Sequence, residues 1–273
     1  HGRNYVEETY KRPLLERTFR NILSFVLPRP KVFFVFFILT KFIKPFSFLL
    51  PKFFKNSLNL MPDKIPSKKI KTQKIYSPQN GKKISRVALL TGCVQRVISP
   101  EINESTIRLL NRHNVEVVVM PNIECCGSLN HHLGKKEKAK ISFVNNIESW
   151  YEEYLESGLD AIISNTSGCG TTLKDYGHIF KNDRILKKKA KKISELTKDI
   201  TEYLDENLKL NFKQNEEKKY KIAYHSACSM QHGQKIHDQP KQLITKTGNE
   251  VLDIPDGHLC CGSAGTYNIL HQK

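Results

Sequence analysis

The chain lacks the short-gap metal knuckles, Cys-x-x-Cys and His-x-x-x-His, with which two neighbouring side chains bite one zinc ion. No Gly-x-Gly-x-x-Gly comes after an apolar run, so a nicotinamide or flavin site is not expected on this chain. The opening residues do not read as a secretory signal, and the cysteines number seven. An odd count in a chain long enough for an ordinary core argues against a secreted disulfide scaffold. The wholly apolar run Val32–Leu39 is short, and Lys41, Lys44 and Pro45 interrupt the residues after it. A bilayer span is not expected there. Acids are scarce in the first third: residues 1–85 hold 18 Lys and Arg against 4 Asp and Glu, a balance of +14.

The chain does carry a duplication. Cys93 is followed by Cys125-Cys126-Gly127, and Cys228 by Cys260-Cys261-Gly262, with 31 residues between lone cysteine and pair in both copies. The lead-ins also match, Arg86-Val-Ala-Leu-Leu-Thr-Gly-Cys93 against Lys221-Ile-Ala-Tyr-His-Ser-Ala-Cys228. A repeat of this length means two similar modules, each with its own thiol group. The seventh cysteine, Cys169 in Ser167-Gly-Cys-Gly170, gives the first module four candidate ligands. Its counterpart in the second copy would fall at position 304, past Lys273, and the first residue is His1, so an internal piece of a longer protein is expected. Adjacent cysteines are awkward for one tetrahedral zinc ion. They suit a polynuclear iron–sulfur cluster, where each thiolate takes a different iron.

Hydrophobic patterning gives an α/β fold of two repeated cysteine-rich modules with parallel strands and crossover helices, preceded by a mainly helical basic segment. Strands are expected at Arg86–Thr91, Val115–Met120 and Asp160–Ser164 in the first module. In the second they are expected at Lys221–His225 and Glu250–Ile254. Ser99-Pro100-Glu101 starts a helix to about His113, and long helices are expected over His131–Glu156, Lys187–Leu208 and Gln231–Thr247. Each cysteine group then comes just after the C-terminal end of a strand, the edge where open α/β sheets bind ligands. Gly127, Gly168, Gly170 and Gly262 would let backbone amides approach the sulfurs. The divisions are 1–85, basic and helical with a linker over Ile65–Lys83; 86–184, the first module; 185–219, a connecting helix and linker; and 220–273, the second module.

Eleven of the fourteen phenylalanines lie in residues 1–85. Basic and aromatic together suit either an interfacial segment on an anionic membrane or short helices packed on other protein with lysines outward. Nucleic acid is not expected, since charge alone is no recognition motif. The lysine run at 187–192 reads as a solvated face, and Trp150 and Tyr154 as core. His131, His132, His225 and His258 read as surface or hydrogen-bonding residues before cluster ligands. Arg96 either offsets thiolate charge or is simply exposed.

These motifs resemble the CCG-type cysteine-rich domains of heterodisulfide reductase B subunits and their relatives. His1-Gly-Arg-Asn-Tyr-Val-Glu7, Ser167-Gly-Cys-Gly170 and Cys260-Cys-Gly-Ser-Ala-Gly-Thr-Tyr267 are similar to the glycolate oxidase (glycolate dehydrogenase) iron–sulfur branch. The resemblance implies an oxidoreductase subunit with no catalytic residue of its own. It implies [4Fe–4S] cluster chemistry at Cys93, Cys125, Cys126, Cys169, Cys228, Cys260 and Cys261, and a ferredoxin-like domain ahead of the present start. It further implies a partner subunit carrying flavin, electrons passed toward a quinone, and a cytoplasmic location, peripheral on the inner face of the membrane. Thr166 stands where the reductases have a further cysteine. Four thiolates suffice for a cubane but not for a five-thiolate site, so cubane and non-cubane both stay open and disulfide reduction is disfavoured. Lactate and glycerol-3-phosphate dehydrogenase subunits share these modules and are alternative readings.

Overall fold

The computed structural model describes residues 2–49, 58, 61, 62, 75–210, 212, 219–259 and 262. The architecture is α/β. Strands β1 (Ile75–Tyr76), β2 (Ser85–Leu90), β3 (Val115–Val118), β4 (Ala161–Ser164) and β5 (Thr197–Asp199) form one sheet in the order β1-β3-β2-β4-β5. All neighbours are parallel except β1, which pairs antiparallel with β3 and so places a strand inside the expected linker. Strands β6 (Lys221–Ala223) and β7 (Glu250–Leu252) pair in parallel in the second module.

The helices in chain order are α1 (Gly2–Thr9), α2 (Leu14–Val26), α3 (Pro30–Ile43), α4 (Gln95–Ile98), α5 (Pro100–Arg112) and α6 (Ser128–His132). They continue as α7 (Lys136–Ser157), α8 (Ser167–Lys174), α9 (Tyr176–Ile179), α10 (Lys187–Leu196), α11 (Ile200–Asn207) and α12 (Gln239–Lys246).

Strand β2 shows why the sheet is covered on both faces. Val87, Ala88, Leu89 and Leu90 are all buried, and alternate side chains enter opposite layers. Ala88 and Leu90 join Phe143, Ile147 and Trp150 of α7 and Ala190 and Ile193 of α10. Val87 and Leu89 join Ile107 and Leu110 of α5 and Tyr203 and Leu204 of α11. Leu243 of α12 also enters this second layer, so the second module packs on the first.

Three expected helices are interrupted. The one over His131–Glu156 breaks at Gly134, whose φ of +76° suits glycine; a Cβ there would lie 2.7 Å from the Arg3 carbonyl oxygen. The one over Lys187–Leu208 is split by β5. Thr197 and Asp199 are buried, and Asp199 then caps α11, accepting from the Thr201 amide while Glu202 accepts from the Asp199 amide. The one over Gln231–Thr247 is a π-helical turn, Ser229–Gln234, that ends at Lys235 with φ +60°. Helix α12 begins anew with Pro240 in its first turn. The linker expected over Lys209–Lys219 and the second cysteine pair lie largely or wholly outside the described residues.

The basic segment is helical and tied to the first module. Arg20 donates to the Leu133 carbonyl oxygen at 2.9 Å, and Ser24 donates to Asn130 Oδ1 at 2.7 Å. Phe33 and Phe37 of α3 pack with Val26 and with Val97 of α4. Pro30–Leu49 is a 20-residue helical stretch with mean hydropathy 1.9, long and apolar enough by length and composition to cross a bilayer. The helical apolar stretch is thus longer than the run Val32–Leu39, because it continues through Lys41 and Lys44 instead of ending before them.

Candidate metal centre

The chain runs from β2 outward to β3 on one side, then returns to β4 on the other side of β2. The ends of these strands therefore flank the point where strand order reverses, the crevice in which open α/β sheets hold ligands. Cys93 comes after β2 and Gly92, whose φ is +71°. Cys125 and Cys126 come after β3, and Cys169 lies in the first turn of α8 after β4.

The structure brings these four thiols together. Cys93 contacts Cys125, Cys125 contacts Cys126, and the Cys126 and Cys169 sulfurs are 3.1 Å apart. Cys125 is pulled down to about 4 by hydrogen bonds from Cys126 and Cys93 and by the Gly127 amide, which donates to its Sγ at 3.4 Å. Cys126 and Cys93 are pushed up, each foremost by its hydrogen bond to Cys125. Of these three contacting thiols, the negative charge is therefore favoured on Cys125. Among the described residues no three His, Cys, Asp or Glu side chains form a group placed to hold a single metal ion. The donor set is all thiol, which suits the chemistry of an iron–sulfur site.

The backbone around the pair is pinned from below. Asn146 donates to the Cys125 carbonyl oxygen at 2.9 Å and to the Tyr176 hydroxyl at 3.0 Å, and Tyr176 donates to the Cys126 carbonyl oxygen at 2.7 Å. Gly127 has φ +82°, and a Cβ there would meet the Phe143 ring at 2.5 Å. A part-buried amide network joins the other two loops. Gln95 Nε2 donates to Asn103 at 3.0 Å and to Asn165 at 2.8 Å, Thr166 donates to Gln95 Oε1 at 2.6 Å, and Asn103 donates to the Thr91 carbonyl oxygen at 2.8 Å. Sequence reading missed Asn103, Asn146 and Tyr176. The available clue was an amide on the otherwise apolar, inward stripe of a helix, which must find partners when buried.

The second module meets the first through α8. Ser229 donates to Ser167 Oγ at 2.8 Å, Thr171 donates to the Ser229 carbonyl oxygen at 2.8 Å, and Gln234 donates to the Ser167 carbonyl oxygen at 3.0 Å. The turn after half-buried Cys228 therefore lies against the helix that carries Cys169. Gly170 serves this contact, since a Cβ there would sit 2.8 Å from the Gln234 amide nitrogen. Cys260 and Cys261 lie outside the described residues.

The histidines take other roles. His131 packs on Phe143, His132 pairs with Arg3 at 2.5 Å, and His225 and His258 are exposed. Arg96 is half-buried on α4, Trp150 is core, and Tyr154 carries Lys192 on its ring.

A parallel sheet with thiols gathered at its switch point defines a cysteine-rich ligand-binding module, and the comparisons specify which. The model of the CCG cysteine-rich domain matches residues 87–174 and 222–273, and the chain belongs to that family. It is 37% identical over 270 residues to the glycolate oxidase iron-sulfur subunit of Escherichia coli, covering 99% of this chain and 62% of that protein. It is 30% identical over 229 residues to the probable glycolate oxidase iron-sulfur subunit of Bacillus subtilis, covering 82% of this chain and 50% of that one. It is 26% identical over 185 residues to lactate utilization protein A of Anoxybacillus flavithermus, covering 67% and 74%. The chain thus spans 62% and 50% of the two glycolate oxidase relatives.

Proposed function

We propose that this chain is an iron–sulfur electron-transfer subunit of a 2-hydroxy-acid oxidase complex of the glycolate type, working in the reducing cytoplasm. The observation that carries the reading is the convergence of Cys93, Cys125, Cys126 and Cys169 at one sheet edge. The 37% identity along 99% of the chain to a glycolate oxidase iron-sulfur subunit supports the substrate class. The four thiolates would hold a [4Fe–4S] cluster, with Cys228, Cys260 and Cys261 serving the second module. Once bound, such a cluster supplies one-electron transfer.

The chain's own residues supply the setting. The Gly127 amide donates to a sulfur, which stabilises the more reduced charge state. Asn146 and Tyr176 hold the carbonyls of the pair and keep its backbone in register. Electrons would arrive from a flavin-bearing partner and leave toward a quinone. Similarity to a lactate utilization protein supports lactate as the second substrate reading.

The test is iron and acid-labile sulfide per chain on anaerobically prepared protein, beside Cys169→Ala. About four irons and four sulfides, lost in the variant, are expected. Zinc without sulfide would sink the proposal. Reduction of the loaded chain by the partner flavoprotein with glycolate, and not with lactate, distinguishes the two substrates.

A further inference from the structure

Helix α3 has two apolar faces. The inner one, Pro30, Phe33 and Phe37, is buried, with Phe33 and Phe37 against Val26 and Val97. On the opposite side Val35, Leu39, Phe42 and Phe46 recur at helical spacing and are 48–71% exposed, with Phe36 and Ile43 beside them. A core helix needs one apolar stripe, and a second stripe left in water marks a docking surface.

The charge around it selects the occupant. Between Glu16 and Asp63 the sequence has eight Lys and Arg and no acid. Arg29 and Lys31 stand at the start of α3, and Lys41 and Lys44 at its end. Cationic ends and an aromatic face fit a surface of anionic headgroups over hydrocarbon. The inner face decides the depth. A spanning helix would draw Phe33 and Phe37 away from Val26 and Val97, so α3 must lie in the plane of the interface with only its outer stripe immersed.

We propose that the outer face of α3 and the turn after it docks this chain onto an anionic lipid bilayer. Docking stands whatever the thiols hold. In combination with the electron-transfer reading, it sets the destination of the electrons. Helix α4, which begins two residues after Cys93, lies directly beneath α3. One helix diameter, about 10–12 Å, then separates the membrane surface from the segment that carries the first thiol.

The test is co-sedimentation of the 273-residue chain with vesicles of phosphatidylcholine alone or with phosphatidylglycerol added. Partitioning about tenfold stronger on the anionic vesicles is expected, with release by alkaline carbonate. Replacing Phe42 and Phe46 together by serine should weaken it by about tenfold. Lys31→Glu, an exposed change independent of the aromatics, should weaken it by about fivefold. Equal binding to both vesicle types, or no binding to either, overturns the proposal. So does retention after carbonate, which would mean a spanning helix. A dimer that the serine variant dissolves while vesicle binding is unchanged would assign the face to a second copy. None of these readouts depends on iron content, so failure here and failure of the electron-transfer reading are distinguishable.

Discussion

Replacing Gly127 by alanine tests how tightly the fold holds the cysteine pair. Two costs combine at this position. The backbone is left-handed, φ +82°, where an L-residue with a Cβ loses about 1 kcal/mol. The new methyl would also stand 2.5 and 2.7 Å from two carbons of the Phe143 ring and 3.3 Å from the Ala139 carbonyl oxygen. Phe143 is 3% exposed and packs on Tyr176 at 4.9 Å between ring centroids, so it has nowhere to retreat. Overpacking of this kind costs about 1–3 kcal/mol, giving a total loss of about 2–4 kcal/mol. Gly81→Ala is the matched control. Its φ is +71° but nothing lies within 4 Å, so only the backbone cost of about 1 kcal/mol applies. Urea unfolding of both variants measures the difference, and the midpoint of Gly127→Ala should fall well below that of the control. Because Phe143 backs Tyr176, and Tyr176 holds the Cys126 carbonyl, the variant should also bind less iron than the control. Equal midpoints for the two variants would refute the argument that the ring fixes the pair.

Two more outcomes concern buried and titrating charge. Arg86 and Glu153 are 9% and 3% exposed at their side chains and bond at 2.6 Å, while Glu116 holds a second nitrogen of the same guanidinium at 2.8 Å. Glu153→Ala should cost about 3 kcal/mol in urea unfolding, because it leaves a desolvated cation with one of its two carboxylates, and Glu153→Gln should cost less. His132 is held down to about 4, first by burial and then by the Arg3 guanidinium. The unfolded chain therefore takes up this proton first, at about pH 6.5, and stability that is complete above that value falls as pH drops toward 4. The residue keeps contact with solvent, so the loss should be under about 1 kcal/mol. A shallower pH dependence of the unfolding midpoint between pH 7 and 5 in His132→Asn checks it.

Local pattern makes much of the first module legible. Four consecutive buried residues, Val87–Leu90, announce a strand covered on both faces, and Ser99-Pro100-Glu101 announces the start of α5. Glycines at 134 and 158 carry their information less evenly. Gly158 ends α7 with φ +75°, as its position after Ser157 suggests, whereas Gly134 reads as an interior helix residue and breaks the helix because the Arg3 backbone lies against it. Strand β5 is written in the sequence only as the Asp199-Ile-Thr-Glu202 capping box, a helix start inside an otherwise continuous helical pattern.

By itself the sequence determined the α/β alternation and the placing of thiols just past strand ends, because both rest on short-range periodicity and on a repeat that survives in residue identity. Only the tertiary structure decided what meets what. It brought Cys93, Cys125, Cys126 and Cys169 into contact around the switch point, set Asn146 and Tyr176 beneath the pair, and laid the turn after Cys228 on the helix that holds Cys169. It also gave α3 one apolar face in the core and one in water. These outcomes depend on which strand sits beside which and on which side of a helix finds a partner. Both are set by competition among distant surfaces for burial, and no local window of sequence records its result.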